Sequence, residues 1–322
     1  MLTSISLHRL IHLILLSILI VKLVSACSAT HDINITSYKQ PIENCRTVQH
    51  IMGSACIPRN PQRVVILTLD SFANSWALGI QPIAFNYFPR VPIPKYLQGK
   101  ADRIESIGSY NSPNIEKILR LKPDLIISGS ELKGIYKQLS YIAPTVVLNT
   151  PPLWTEMLEE LAQVLDKQEV GRKLIDRYWK RVEKLKQTLA DRCKTMEVSI
   201  ADISSEYGIG AYGEKHFSWS VLKDIGLQRP KSHNLFYINT LISKEKISDI
   251  DGDVLFVVSS EREDDKKTLN KLKQSPLWLH LEVVQQNKVY VVDKHWDNPD
   301  IFAINAILDD LEKYLVNGCG QK

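Results

Sequence analysis

Five cysteines in 322 residues are few, and no two stand in a CxxC pair, which excludes the spacing of a zinc ribbon or a dithiol redox site. His216, His233, His280 and His295 are isolated, with no HxxxH or HExxH pair among them, and this speaks against a zinc enzyme or zinc carrier. There is no GxSxG elbow to expose a serine nucleophile. Charge of one sign is also missing. The 40 basic and 36 acidic residues are interleaved, without a basic patch carrying aromatics, so nucleic acid is not expected as a partner. Nor is there an apolar run long enough to cross a membrane at the N-terminus: LIHLILLSILIV, from Leu10, has twelve residues where a bilayer core needs about 20.

That short run, preceded by Arg9 and followed by VSAC ending at Cys27, reads as an export signal. Ser25 and Ala26 directly before a cysteine look like a lipoprotein cleavage box, in which the cysteine becomes the lipid-bearing first residue. An ordinary secretory signal with an incidental cysteine is the alternative, kept open by Lys22, which interrupts the apolar stretch. Arg9 and Lys22 supply two of the net +4 charges. Export places the other cysteines where disulfides form. Cys45 and Cys56 flank RTVQHIMGSA, a hairpin turning near Met52 and Gly53, and are expected to pair. Cys193 and Cys319 read as two separate thiols, and whether they pair stays open.

A chain of this length exceeds the usual single core and suggests two domains. From Pro61, strand and helix signals alternate: RVVILTL, a helix ending at ALGIQP, PIAFNYF, a helix after Ser112, LIIS, the helix SELKGIYKQLSYI and PTVVLN. This βαβ rhythm predicts a mainly parallel sheet with its ligand-facing edge in the loops after the strands. At Pro151 the rhythm breaks. LWTEMLEELAQVL is helical, and 167–192 carries Val170, Leu174, Tyr178, Val182, Leu185 and Leu189 at helical spacing. Such a helix approaches 40 Å, at about 1.5 Å per residue, and can join two lobes; packing on one domain is the alternative. VSIADIS, DVLFVVS and VYVVD resume the strand pattern, and a closing amphipathic helix ends it. The expected division is a signal over 1–26, a tether over 27–44, a first α/β lobe over 45–152, a helical segment over 153–192 and a second α/β lobe over 193–322.

One unit occurs twice. EKILRLKPDLII (116–127) lies over EKISDIDGDVLF (245–256) at a constant offset of 129, matching Glu, Lys, Ile and Asp. Each copy reads as a serine-capped helix, with Ser112 and Pro113 opening one and Ser243 the other, then a tight turn and a buried strand.

At this point a resemblance appears. PQRVVIL, ALGIQP, SPNIEKILRLKPDLIIS, YKQLSYIAPTVVL, GLQRP, SKEKISDIDGDVLFVVS, SPLWLHLEVVQQNKVYVVD and HWDNPDIFAINAILDDLEKYL resemble the substrate-binding lipoproteins of ABC importers for ferric siderophores. That cluster also includes cobalamin and haem binders. The resemblance covers 45–315 and implies two Rossmann-like α/β lobes joined by a single long α-helix, with the ligand cleft between lobes. It implies no catalysis and no cofactor, and a monomer that captures a ferric siderophore and delivers it to a permease dimer with its ATPase. The chain would be lipid-anchored through Cys27 at the outer face of the cytoplasmic membrane.

Other chemistry is weaker. GIGAYG satisfies GxGxxG, but SSEY separates it from the preceding strand, so it reads as a cleft-lining loop, not a nucleotide-binding turn. DIDGD lacks the glutamate of a calcium loop and reads as a turn. The loops after strands supply aromatics and arginines suited to a bulky, often anionic chelate: Tyr87, Arg90, Tyr110, Tyr212, Trp219, Tyr237, Arg262 and Trp296. Tyr110 and Trp296 lie in the two loops where the family places ligand contacts. Glu116 stands off the Ile115, Ile118, Leu119 face, and Glu245 stands equivalently near its helix start. The resemblance makes these two the glutamates that dock into arginine pockets of the permease. A cobalamin or haem receptor is the neighbouring reading, and a nucleotide-dependent enzyme or a purely structural lipoprotein the distant ones. The siderophore class is not legible.

Overall fold

Apolar runs without alternation need cover on both faces, and two five-stranded sheets provide it. The computed structural model describes residues 44–87, 93–101, 104–149, 153–193, 195–235 and 238–316, and of residues 190–193 and 235 the backbone only. The first sheet is parallel throughout, in the order Glu105–Ser106, Ala84–Phe85, Val64–Ile66, Leu125–Ser128, Thr145–Val147. Val64 and Ile66 point to one face, Val65 and Leu67 to the other, and all four are buried. This is the pattern of a parallel sheet covered by helices.

The second sheet is mixed, in the order Asn239–Ile242, Gly208–Tyr212, Val198–Ser204, Val254–Val258, Val289–Val292; its first two pairings are antiparallel and its last two parallel. GIGAYG is therefore a strand with its closing turn, which corrects the loop expected from its glycines. Ile209 and Ala211 bury themselves on the outer face, while Gly208 and Gly210 fall on the inner one. Gly208, at φ +88°, makes a backbone turn that other residues resist. A Cβ on Gly210 would overlap the Asn239 amide from the neighbouring strand.

The outer faces have separate clusters, around Val65, Ile118 and Ile126 in one sheet and Ile203, Leu255 and Val257 in the other. The inner faces share one: Val64, Ile66, Leu125 and Ile127 belong to the same cluster as Val198, Ile200, Val254 and Phe256. Helices Trp154–Val164, Gln168–Cys193, Phe217–Ile225 and Ile301–Leu311 bind it together. The long helix has 26 residues, one position displaced from the sequence expectation. Its Tyr178 meets Trp154 edge-on at 4.7 Å and donates its hydroxyl to Asp224 at 2.6 Å, while Arg181 donates to Asn305 at 3.0 Å. Thus one stripe of this helix touches elements packed on each sheet. Val170, expected in that stripe, is 37% exposed.

The offset of 129 has a structural counterpart. Asp124 accepts from the backbone N–H groups of Gln62 at 2.6 Å and Arg63 at 2.9 Å, just ahead of the strand Val64–Ile66. Asp253 accepts from the N–H of Glu197 at 2.8 Å, just ahead of Val198–Ser204. Each aspartate thereby ties the start of its own strand to the parallel neighbour. The helices before them differ. Ile115–Leu121 is α-helical and capped by Asn114, whose side chain accepts from Lys117 N, whereas Lys244–Ile250 is a 3₁₀ helix in which Ser243 makes no side-chain bond to the backbone. Ser112 and Pro113, expected as cap and first turn, instead pair with Gly108–Ser109 in a short hairpin.

Cys45 and Cys56 form the expected disulfide across the hairpin Cys45–His50 and Gly53–Pro58. The expectations for Cys27 and Cys319, and for the side chain of Cys193, lie outside the described residues.

Candidate functional site at the strand ends

In parallel sheets the backbone turns after the strands bring polar groups together. On the first sheet Thr68 and Asp70, Tyr110, Gly129 and Glu131, and Asn149 follow four different strands. With Met157 and Glu160 they line a cavity of about 40 Å³. Tyr110 sits in the turn of the short hairpin, 40% exposed, its carbonyl accepting from Asn86 Nδ2 at 3.0 Å. Its hydroxyl is bonded to Glu131, and burial, with the charges of Glu131 and Asp70, pushes the phenol up to about 12. Burial likewise raises Asp70, Glu131 and Glu160 above the usual carboxylate range. Glu160 accepts from Asn149 N at 3.0 Å. No lysine or arginine is among the lining residues.

On the second sheet the corresponding segments are 205–207, 259–262 and 293–297. Lys294 Nζ lies 2.6 Å from Asp202 and 3.0 Å from Asp297. Partial burial alone would lower this lysine, but Asp297 and Asp202 raise it. Asp202 is itself raised, by burial and by Asp297, against the pull of Lys294. Tyr207 donates to Asp202 and Tyr212 to Asp297. Arg262 pairs with Glu206 at 2.8 Å, and Asp265 accepts from the Ser205 N–H and hydroxyl, both at 2.7 Å.

The two edges meet along a seam. Lys95, beyond the first sheet, pairs with Glu261 and lies 3.7 Å from Asp293. Tyr96 donates to Asp300 at 2.5 Å, and Asp300 also caps Ile301–Leu311 by accepting from Phe302 and Ala303 N–H. Complete burial lifts Asp300 to about 7. Asn74 Oδ1 accepts from Ile301 N at 3.0 Å.

A family model described as periplasmic binding protein matches residues 82–295. The chain belongs to the periplasmic binding protein family. It is 32% identical over 323 aligned residues to the probable siderophore-binding lipoprotein YfiY of Bacillus subtilis, an alignment covering 95% of this chain and 98% of that one. The Fe(3+)-citrate-binding protein YfmC of the same organism is 29% identical, with 89% and 90% covered. Among solved structures, Staphylococcus aureus SirA complexed with staphyloferrin B superposes with a TM-score of 0.73 at 26% identity, covering 84% of this chain and 98% of SirA.

In this periplasmic binding protein the expected ligand residues separate into groups. Tyr87, Tyr110 and Arg262 lie at strand ends with exposed surface; Tyr87 stacks on Phe85 at 4.8 Å, and Arg262 is engaged by Glu206. Tyr212, Trp219 and Trp296 are instead 2%, 8% and 0% exposed. Tyr212 stacks on His216 at 3.8 Å, Trp219 lies under the Arg229 guanidinium at 5.4 Å, and Trp296 stacks on Phe256 at 4.8 Å while its Nε1 donates to Asp310 at 2.9 Å. All three belong to the shared inner cluster. Arg90 and Tyr237 lie outside the described residues. Glu116 and Glu245 are both exposed, each near the start of its helix. Glu116 reaches Arg120 at 3.1 Å, and the backbone N–H and the Ser243 hydroxyl hold Glu245 below the usual carboxylate range. Among the described residues no helix is long and apolar enough to cross a membrane.

Proposed function

We propose that the protein is the substrate-binding component of an ABC importer, capturing a ferric siderophore outside the cytoplasmic membrane and delivering it to a permease dimer with its ATPase. The observation that carries this reading is the seam itself, where the segment after the strand Ala84–Phe85 meets the strand-end loops of the second sheet, in a chain aligned over 95% of its length with a relative named for siderophore binding. Iron enters as cargo inside its chelate, so the protein needs to grip an organic frame and supplies no catalysis. Tyr87, Tyr110 and Arg262 are the ligand contacts retained from the expected set. Arg90 and Tyr237 stay with them on sequence grounds. Glu116 and Glu245 dock the two lobes on the permease, and a lipid on Cys27 keeps the chain at the membrane. Residues 45–152 and 193–322 act as the two lobes, with 153–192 between them.

Native mass spectrometry of the chain from Ser28 tests this, against a panel of ferric siderophores, cobalamin, haem and NAD. A one-to-one complex with a ferric siderophore is expected. Binding of NAD, cobalamin or haem instead, or of none of these, overturns the reading.

A further inference from the structure

Three carboxylates, of Asp70, Glu131 and Glu160, share the cavity at the edge of the first sheet, and no lysine or arginine lines it. On the second edge the chain answers Asp202 and Asp297 with an ammonium of its own, Lys294 Nζ, at 2.6 and 3.0 Å. We propose that on the first edge the ligand brings the missing cation: the ferric siderophore carries a protonated amine, and this group enters the cavity between Asp70, Glu131 and Glu160. The assignment rests on the ferric-siderophore reading above and adds to it the charge and the orientation of the chelate.

Thr68 closes the floor of the cavity, between the strand Val64–Ile66 and the helix Leu69–Ala77. It is 6% exposed, and its hydroxyl lies beside Asp70 without a partner in hydrogen-bonding geometry. A buried hydroxyl left unpaired costs free energy unless an entering group meets it. Glu131 lies so close over Gly129 that a Cβ at 129 would overlap its carboxylate, so glycine there leaves the room that the carboxylate takes. Tyr110 donates to Glu131, and the Asn149 N–H donates to Glu160. Each bond engages one of the several lone-pair sites of a carboxylate and leaves the others for a further donor. The charge of Asp70 reaches both Glu131 and Tyr110, so like charges share the space. Glu131 and Tyr110 are exposed at the mouth, where a ligand meets them. A volume of about 40 Å³ exceeds what one water needs, about 10 to 15 Å³, and is far below the roughly 300 Å³ or more that holds a whole ligand. Only an appendage fits, and the bulk of the chelate stays outside. An ammonium is compact and carries three donors and no acceptor, which matches a wall of acceptors and relieves their mutual repulsion. Among the described residues no three Asp, Glu, His or Cys side chains are placed to hold a metal ion, which favours an organic cation. With its amine on the first edge, the chelate turns its oxygens toward Arg262 on the second.

The test uses the chain from Ser28, which retains the whole unit Ile42–Lys322, with Kd read by fluorescence quenching. Ferric desferrioxamine B ends in a primary amine, and its N-acetyl derivative has the same iron centre without that charge. Ferric citrate and a ferric tris-catecholate serve as anionic comparators. The amine form should bind about tenfold or more tighter than the acetylated form, as expected for a partly desolvated charge pair. Glu131→Gln with Glu160→Gln keeps the shapes and acceptor oxygens but removes both charges. This double variant should cut the preference to about threefold or less and hold its affinity for the acetylated form within about threefold of the unmodified protein. Equal affinity of the unmodified protein for the two forms overturns the proposal. So does an equal loss of both forms in the double variant, since the glutamates would then shape the site without reading charge. Tighter binding of ferric citrate or of the tris-catecholate than of ferric desferrioxamine B overturns it as well, while the ferric-siderophore reading stands. If the unmodified protein binds none of the four, that reading fails first and this assignment with it.

Discussion

At the edge of the first sheet, Asp70, Glu131 and Glu160 share a cavity whose lining contains no lysine or arginine. At the edge of the second, Asp202, Asp297, Glu206 and Glu261 each face a cation: Lys294 for the first two, then Arg262 and Lys95. Equivalent positions in two similar sheets have thus received opposite electrostatic treatment. On the first edge burial raises the carboxylates, so the folded state binds protons more tightly than the unfolded chain. Their contribution to stability is fully present below the unfolded carboxylate range, near pH 4, and is lost as pH rises through the raised native values. The second edge instead sets its carboxylates against cations, although burial and Asp297 raise Asp202 there as well.

The largest effect is expected where both halves must act together. Glu116→Arg with Glu245→Arg should leave siderophore affinity unchanged and abolish uptake, because each lost docking pair costs about 2 to 5 kcal/mol and reversal adds repulsion. Each single variant should retain part of the uptake. Normal transport by the double variant would remove the docking assignment, and lost ligand affinity would place these glutamates in the cleft. Next comes the second edge. Lys294→Met leaves Asp202 and Asp297 without their cation and should lower stability by about 3 to 5 kcal/mol at pH 7 in urea unfolding, with the loss shrinking in acid. A change below about 1 kcal/mol would mean that the pairing there is incidental. The smallest effect is on the first edge and has the opposite sign. Glu131→Gln should raise stability slightly at pH 7, with the gain fading as pH falls through the unfolded carboxylate range. Lower stability at pH 7 would show that this carboxylate is held by a favourable contact and would erase the contrast between the edges.

Much of the fold was legible because burial leaves its mark in the sequence. RVVILTL and DVLFVVS contain the strands Val64–Ile66 and Val254–Val258, covered on both faces, and the helix expected over 167–192 is found at Gln168–Cys193. The paired aspartates at 124 and 253 were visible as an offset of 129, although their bonds to strand starts were not. GIGAYG misled because glycine is disfavoured in strands by its own freedom, while here alternation with Ile209 and Ala211 and the approach of Asn239 outweigh that preference. The cleft aromatics were harder for a general reason. An aromatic ring after a strand can turn inward onto a shared core or outward into a cleft, and composition is the same in both cases. Trp296 turned inward because Phe256 and Asp310 satisfy both its ring and its N–H. Tyr207, by contrast, is 41% exposed, with its hydroxyl on the buried carboxylate of Asp202.

The Cys45–Cys56 bridge has a mechanical meaning. Cys45 opposes Pro58 at the open end of the hairpin, and a pull on the chain ahead of Cys45 would peel the strand Cys45–His50 from that end, opening one backbone pair after another. The covalent link carries such a load across to Cys56 before the first pairs part. From there it runs through the second strand toward Val64–Ile66 in the middle of the first sheet. Such a load would then be borne by the framework of the first sheet, and the hairpin would not unzip.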